Sequence, residues 1–104
     1  MRVISQDGTM DVPYEISSFS IAVGKYENVE HAVIFCYNYS TSIGTKIAEY
    51  CSKEKAKKAM EELRYAYICH ILVKMGKTPP DGIDEKLTMG LIGVFQFPTE
   101  EELE

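Results

Sequence analysis

Four lysines, Lys53, Lys55, Lys57 and Lys58, crowd the segment that follows Ser52, with Glu54 the sole acid among them. This segment opens the strongest helical pattern in the chain. A helix N-terminus carries free backbone N–H groups and the positive end of the dipole, where acids are normally favoured. Lysines added there suit a phosphate or carboxylate. The plainer reading is a solvated basic face, since exposed dipole terms are only about 0.3–1 kcal/mol each. Arg64 and Tyr67 lie further along the same helix. Tyr37, Tyr39, Tyr65 and Tyr67 offer rings on which a ligand base could stack, although such rings more often fill cores and interfaces. Near the end of the chain stands Phe95-Gln96-Phe97. The candidate ligand-binding set is therefore Lys53, Lys55, Lys57, Arg64, Tyr67, Phe95, Gln96 and Phe97.

Catalytic groups are sparse. There is no Gly-rich phosphate loop, no H-E-x-x-H and no nucleophile elbow. His31 reads as an exposed residue at the start of a strand. His70 adjoins Cys69, but neighbouring helix positions point about 100° apart, so the two converge poorly on a metal. Cys36, Cys51 and Cys69 lack metal-ligand spacing and read as reduced, buried thiols of a reducing cytosol. The expectation is a protein without enzymatic activity, metal or cofactor.

The element that must position these groups is the stretch from Ser52 to Gly76. Ala56, Ala59, Met60, Leu63, Tyr67 and Ile71 recur at three- and four-residue steps and share one face. Ser52 suits an N-cap, and Gly76 suits the left-handed residue that ends a helix. Ahead of the helix the pattern is strand-like. Met1–Gln6 precedes an Asp7-Gly8 turn, and Val12, Tyr14 and Ile16 alternate behind Pro13. Phe19, Ile21 and Val23 alternate next, before a loop over residues 24–28. Ala32–Tyr39 is apolar on both faces. A turn at Ser40–Gly44 leads to a shorter strand, Thr45–Tyr50. After Pro79-Pro80, Ile83–Met89 suits a short helix or an irregular segment, and Val94–Phe97 a last strand. The predicted fold is α+β: an antiparallel sheet of four to five strands covered by one long helix, with a short C-terminal strand and an acidic tail. Residues 1–98 form a single domain and residues 99–104 the tail.

The 104 residues carry a net charge of −5, of which Glu100, Glu101, Glu102 and Glu104 supply most. The rest of the chain is near neutral and offers no basic stripe, which excludes a nucleic acid polymer as main partner. A terminal run of like charges is expected to be solvated. The first residues lack the apolar run of a signal peptide, and no stretch is long enough to span a membrane. A cytoplasmic protein is expected.

Three segments together resemble a known set: M-R-V-I-S-Q-D-G-T with D-V-P-Y-E, then A-E-Y-C-S-K-E-K-A-K-K-A-M-E-E-L-R, then V-F-Q-F-P-T-E-E-E. They are similar to a family of small proteins encoded by phages and mobile elements of clostridial-type bacteria. The architecture resembles Thoeris anti-defence sponges, which bind cyclic signalling nucleotides at subunit interfaces without cleaving them. Cys51-Ser52-Lys53 stands where such proteins carry a more acidic helix start. The resemblance implies a non-enzymatic protein that sequesters a small phosphorylated immune signal. The alternative is a protein–protein inhibitor of a host defence effector such as a nuclease, which the acidic tail and the abundant tyrosines suit. Surplus apolar surface on Ala32–Tyr39 and at Phe95 and Phe97 further predicts a homo-oligomer, a dimer or a multiple of dimers. Arg64, Tyr67 and Phe95–Phe97 would then meet a ligand in a cleft between subunits.

Overall fold

The computed structural model describes residues 1–38, 41–76 and 93–103, leaving aside the side chains of residues 41–43. The order is β1 (Arg2–Ile4), β2 (Asp11–Pro13), a 3-10 turn (Tyr14–Ile16), β3 (Ser18–Tyr26), β4 (Val29–Asn38), β5 (Thr41–Tyr50), α1 (Lys53–Lys74), β6 (Val94–Gln96) and a last 3-10 turn (Glu101–Leu103). The α+β class is as expected, but the strands divide differently. In place of one sheet of four to five strands there are two sheets of three, ordered β2-β1-β6 and β3-β4-β5. The expectation for Ile83–Met89 falls outside the described residues.

The helix follows its sequence signals closely. Ser52 caps it, its hydroxyl accepting from Lys55 N at 3.2 Å. Gly76 stands just past its end with φ +72°, and its N–H donates to the Val73 carbonyl. Ala56, Ala59, Met60, Leu63, Ala66 and Cys69 are buried against the β3-β4-β5 sheet. Tyr67 and Ile71 sit at the margin of that stripe instead of inside it. The three alanines let the helix lie close to the sheet, whose inner face supplies Ala32, Ile34 and Cys36.

Two boundaries shifted for identifiable reasons. The strand expected through Ile16 stops at Pro13: Tyr14 N still donates to the Met1 carbonyl, and Ser17 then closes the 3-10 turn through its N–H to the Tyr14 carbonyl and its hydroxyl to the Pro13 carbonyl. The loop expected over residues 24–28 shrinks to Glu27-Asn28, both left-handed at φ 51° and 64°, a tight hairpin between β3 and β4. β5 also begins earlier than expected, at Thr41, with register shifts against β4.

The smaller sheet joins the chain's two ends. β1 pairs antiparallel with β2 and parallel with β6, setting Val3 opposite both Val12 and Phe95. Gln6 ties this sheet to the larger one: its N–H donates to the Ile47 carbonyl, and its side-chain oxygen accepts from Glu49 N. The acidic tail is docked where a solvated end was expected. Leu103 is only 4% exposed, and its carbonyl accepts from Lys58 Nζ.

The turn after β1 gives a pH prediction. The Asp7 carboxylate accepts from Ser5 Oγ at 2.7 Å and from Thr9 Oγ1 and N at 2.7 and 3.0 Å, which lowers its pKa to about 2. The depressed value means that the turn's contribution is full above the ordinary carboxyl value of 3.8 and is lost as pH falls toward about 2. Melting temperature followed through that window should fall more steeply for the wild type than for Asp7→Asn. Coincident acid limbs would show that the turn is not held by this charge.

Candidate functional site

The helix and the start of the larger sheet do not close fully on one another. Between them lies a cleft of about 410 Å³, lined on the helix by Met60, Leu63, Arg64 and Tyr67 and opposite by Tyr14, Glu15, Ser17 and Phe19. A second hollow of about 280 Å³ shares Met60 and Arg64 and adds Ile21, Lys57 and Glu61. The two form one groove along α1. Lys57 and Arg64 are seven residues apart and Tyr67 three further, so all three belong to one side of the helix.

The groove is built on stacked rings. Tyr14 and Tyr67 lie with centroids 4.2 Å apart and planes 29° from parallel, and Phe19 continues from Tyr14 at 6.1 Å. Pro13 makes this possible, because the 3-10 turn it starts carries Tyr14 away from the smaller sheet and toward the helix. Burial raises the pKa of Tyr14, opposed in part by the charge of Arg64, which lines the same cleft. The Glu15 carboxylate pairs with the amino group of Met1, which lowers its pKa. Neither Lys57 nor Arg64 is held in an ion pair among the described residues. The wall of the groove is thus aromatic and its rim carries two cations, with two acids beside them, Glu61 and the Met1-paired Glu15.

Of the eight residues predicted from sequence, this groove brings together Lys57, Arg64 and Tyr67. Lys53 and Lys55 are at the helix start, and the anion site expected there is already filled by the protein's own carboxylates. Glu30 Oε1 accepts from Lys53 N at 2.8 Å, and Glu100 Oε1 accepts from Cys51 N. Glu100 also lies 3.9 Å from Lys55 Nζ, and its bonds to Cys51 lower its pKa. The same carboxylate raises the pKa of the Cys51 thiol, which is exposed and not buried as expected.

Phe95 and Phe97 do not reach the surface. They are 2% and 1% exposed, packed edge to face at 5.4 Å in the chain's own core. Phe97 stands behind Phe19 at 6.2 Å and supports the groove from within. Gln96 is exposed on β6 and donates from Nε2 to the Ser5 carbonyl at 3.4 Å. The groove that holds Arg64 and Tyr67 lies within one chain, and Phe95–Phe97 does not line it. Tyr14 and Phe19 were missed because they are about fifty residues from Tyr67 in sequence, and a β-period places Phe19 in the core without showing what its edge meets. The one local signal was Pro13 in front of Tyr14, which marks a change of direction.

Among the described residues no cluster of three or more His, Cys, Asp or Glu side chains is placed to hold a metal, and no helix is long and apolar enough to cross a membrane. No family model, curated protein or solved structure matches the chain.

A separation of roles among the lysines follows from this geometry. Lys57→Gln should weaken an anionic ligand, whereas Lys53→Gln with Lys55→Gln should leave its affinity within about twofold, because their helix end is already neutralised. Titration calorimetry on the three proteins checks this. A larger loss from the Lys53/Lys55 pair than from Lys57 would return the site to the helix start.

Proposed function

We propose that this chain is a non-enzymatic binding protein that sequesters a small phosphorylated ligand with a planar ring, and that the groove beside α1 takes it. The observation that carries the reading is the Tyr14–Tyr67 stack flanked by Arg64. A base laid against a tyrosine ring contributes about 1–3 kcal/mol, and a guanidinium with no carboxylate partner among the described residues can grip phosphate with two parallel N–H groups. Lys57 extends the positive rim in the direction a second phosphate would run. A cyclic nucleotide combines both chemistries, which is the ligand class implied by the phage-type resemblance. The setting would be the cytoplasm of a bacterium whose defence uses such a signal.

The test is thermal stabilisation by a panel of cyclic mono- and dinucleotides, beside affinity capture from a defence-proficient host. A shift with one nucleotide, recovered intact afterwards, supports sequestration. Turnover of that nucleotide would make the protein an enzyme. No shift with any of them, together with specific capture of a host effector, would replace this reading with the protein–protein inhibitor.

A further inference from the structure

The helix covers one face of the β3-β4-β5 sheet, and the opposite face has an unusual relief. Ser18, Ser20, Ala22 and Gly24 on β3 point outward and are small. They stand in register with Tyr37, Phe35, Val33 and His31 on β4, all larger. A trough thus runs along β3 beside a ridge along β4. Its deeper end, over Ala22 and Gly24, is a hollow of about 350 Å³ walled by Tyr26, His31, Val33 and Phe35. A Cβ on Gly24 would meet nothing within 4 Å, so the trough is open along its floor. At the other end Tyr37 lies down over Gly44, where a Cβ would approach its ring to 2.6 Å. That glycine keeps the ridge low and level. Tyr26 and Val29 share this face and are 71% and 52% exposed.

An antiparallel sheet with one solvated face normally presents polar residues there. This face is apolar at its centre and charged at its margin, where Lys46 and Glu49 of β5 stand beside Phe35 and Val33. Depletion of charge at the centre with a polar rim is the pattern of a protein interface. The size is also adequate. The nine paired residues of β3 and β4, the two strands that carry trough and ridge, span roughly 30 Å by 10 Å, and side-chain relief raises the surface buried above that projection, toward the ~500 Å² per partner that a biological interface needs.

We infer that the outer face of the β3-β4-β5 sheet is the contact between two copies of this chain. A two-fold axis parallel to the strands, between β3 and β4, sets each copy's β4 ridge over the other's β3 trough. The face is then its own complement, as an isologous contact requires. Two sheets packed about 10 Å apart form a sandwich, with the two helices on the outside and both ligand grooves open. The β5 rims, each with Lys46 and Glu49, fall on opposite edges of this sandwich, so the contact brings no like charges together. This contact differs from the Phe95–Phe97 surface expected from sequence, which is internal, and it does not depend on the ligand reading.

Light scattering on the full chain at tens of micromolar should give twice the 11.8 kDa monomer mass. Ser20→Arg and Ala22→Glu fill the trough at exposed positions that the monomer's core does not use, so each should keep its melting profile as a monomer. Each should also raise the dimer dissociation constant at least a hundredfold. Ile68→Glu, at an exposed apolar residue of the helix, should remain dimeric. A monomeric wild type overturns the inference, as does a dimer that survives both trough variants. Dissociation by Ile68→Glu alone would move the contact to the helix and overturn it equally.

Discussion

Phe97→Ala should lower the stability of this protein by about 3–5 kcal/mol, the cost of emptying a fully buried aromatic site. In a chain of this size that is a fall in melting temperature of roughly 10 °C or more. Phe97 touches both Phe95 and Phe19, so its removal opens a cavity where the smaller sheet meets the larger one. Its neighbour Pro98 is fixed by Tyr50, whose buried hydroxyl donates to the Pro98 carbonyl at 2.7 Å. The end of the chain therefore cannot easily collapse into the space. Phe97→Asp should be worse, because an unpaired carboxylate would be buried. It should unfold the chain instead of dissociating an oligomer, the outcome a surface position would give. Denaturant unfolding of Phe97→Ala checks this directly. An unchanged midpoint, or a folded Phe97→Asp monomer, would mean that the ring is not in the core.

The second large effect concerns the groove. Arg64→Gln should weaken an anionic nucleotide about tenfold or more, since a hydrogen bond to a charged group is worth about 1.5–3 kcal/mol. Arg64 is exposed, so its melting temperature should change little. Its contribution should also shrink with added salt. Tyr67→Ala should produce a comparable loss by a different route, through stacking, and that loss should be nearly independent of salt. The two variants measured by calorimetry at low and high salt separate the ionic from the aromatic part of recognition. Full affinity in folded Arg64→Gln and Tyr67→Ala together would place any ligand elsewhere. That result would leave the sheet-face dimer standing, because its residues are on the other side of the sheet.

The sequence by itself determined the elements whose forces are local. The helix could be read from Ser52 to Gly76 because its cap, its periodic apolar face and its terminal glycine all act within a few residues. The paired faces of β4 were legible as well, since a period of two needs no knowledge of the partner. Tertiary structure decided what lies against those faces. The parallel pairing of β1 with β6 joins residues more than ninety positions apart, and three-residue strands carry too little pattern to announce a partner. That pairing splits the expected single sheet in two and takes Phe95 and Phe97 into the core. The lysines at the helix start illustrate the same limit. Their charge is visible in the chain, but Glu30 and Glu100 reach the free N–H groups only through the fold. Arg64 and Tyr67 could be proposed from the helix alone. Their setting against Tyr14 and Phe19 depended on where Pro13 turned the backbone, a choice made by the packing of a distant segment against the helix.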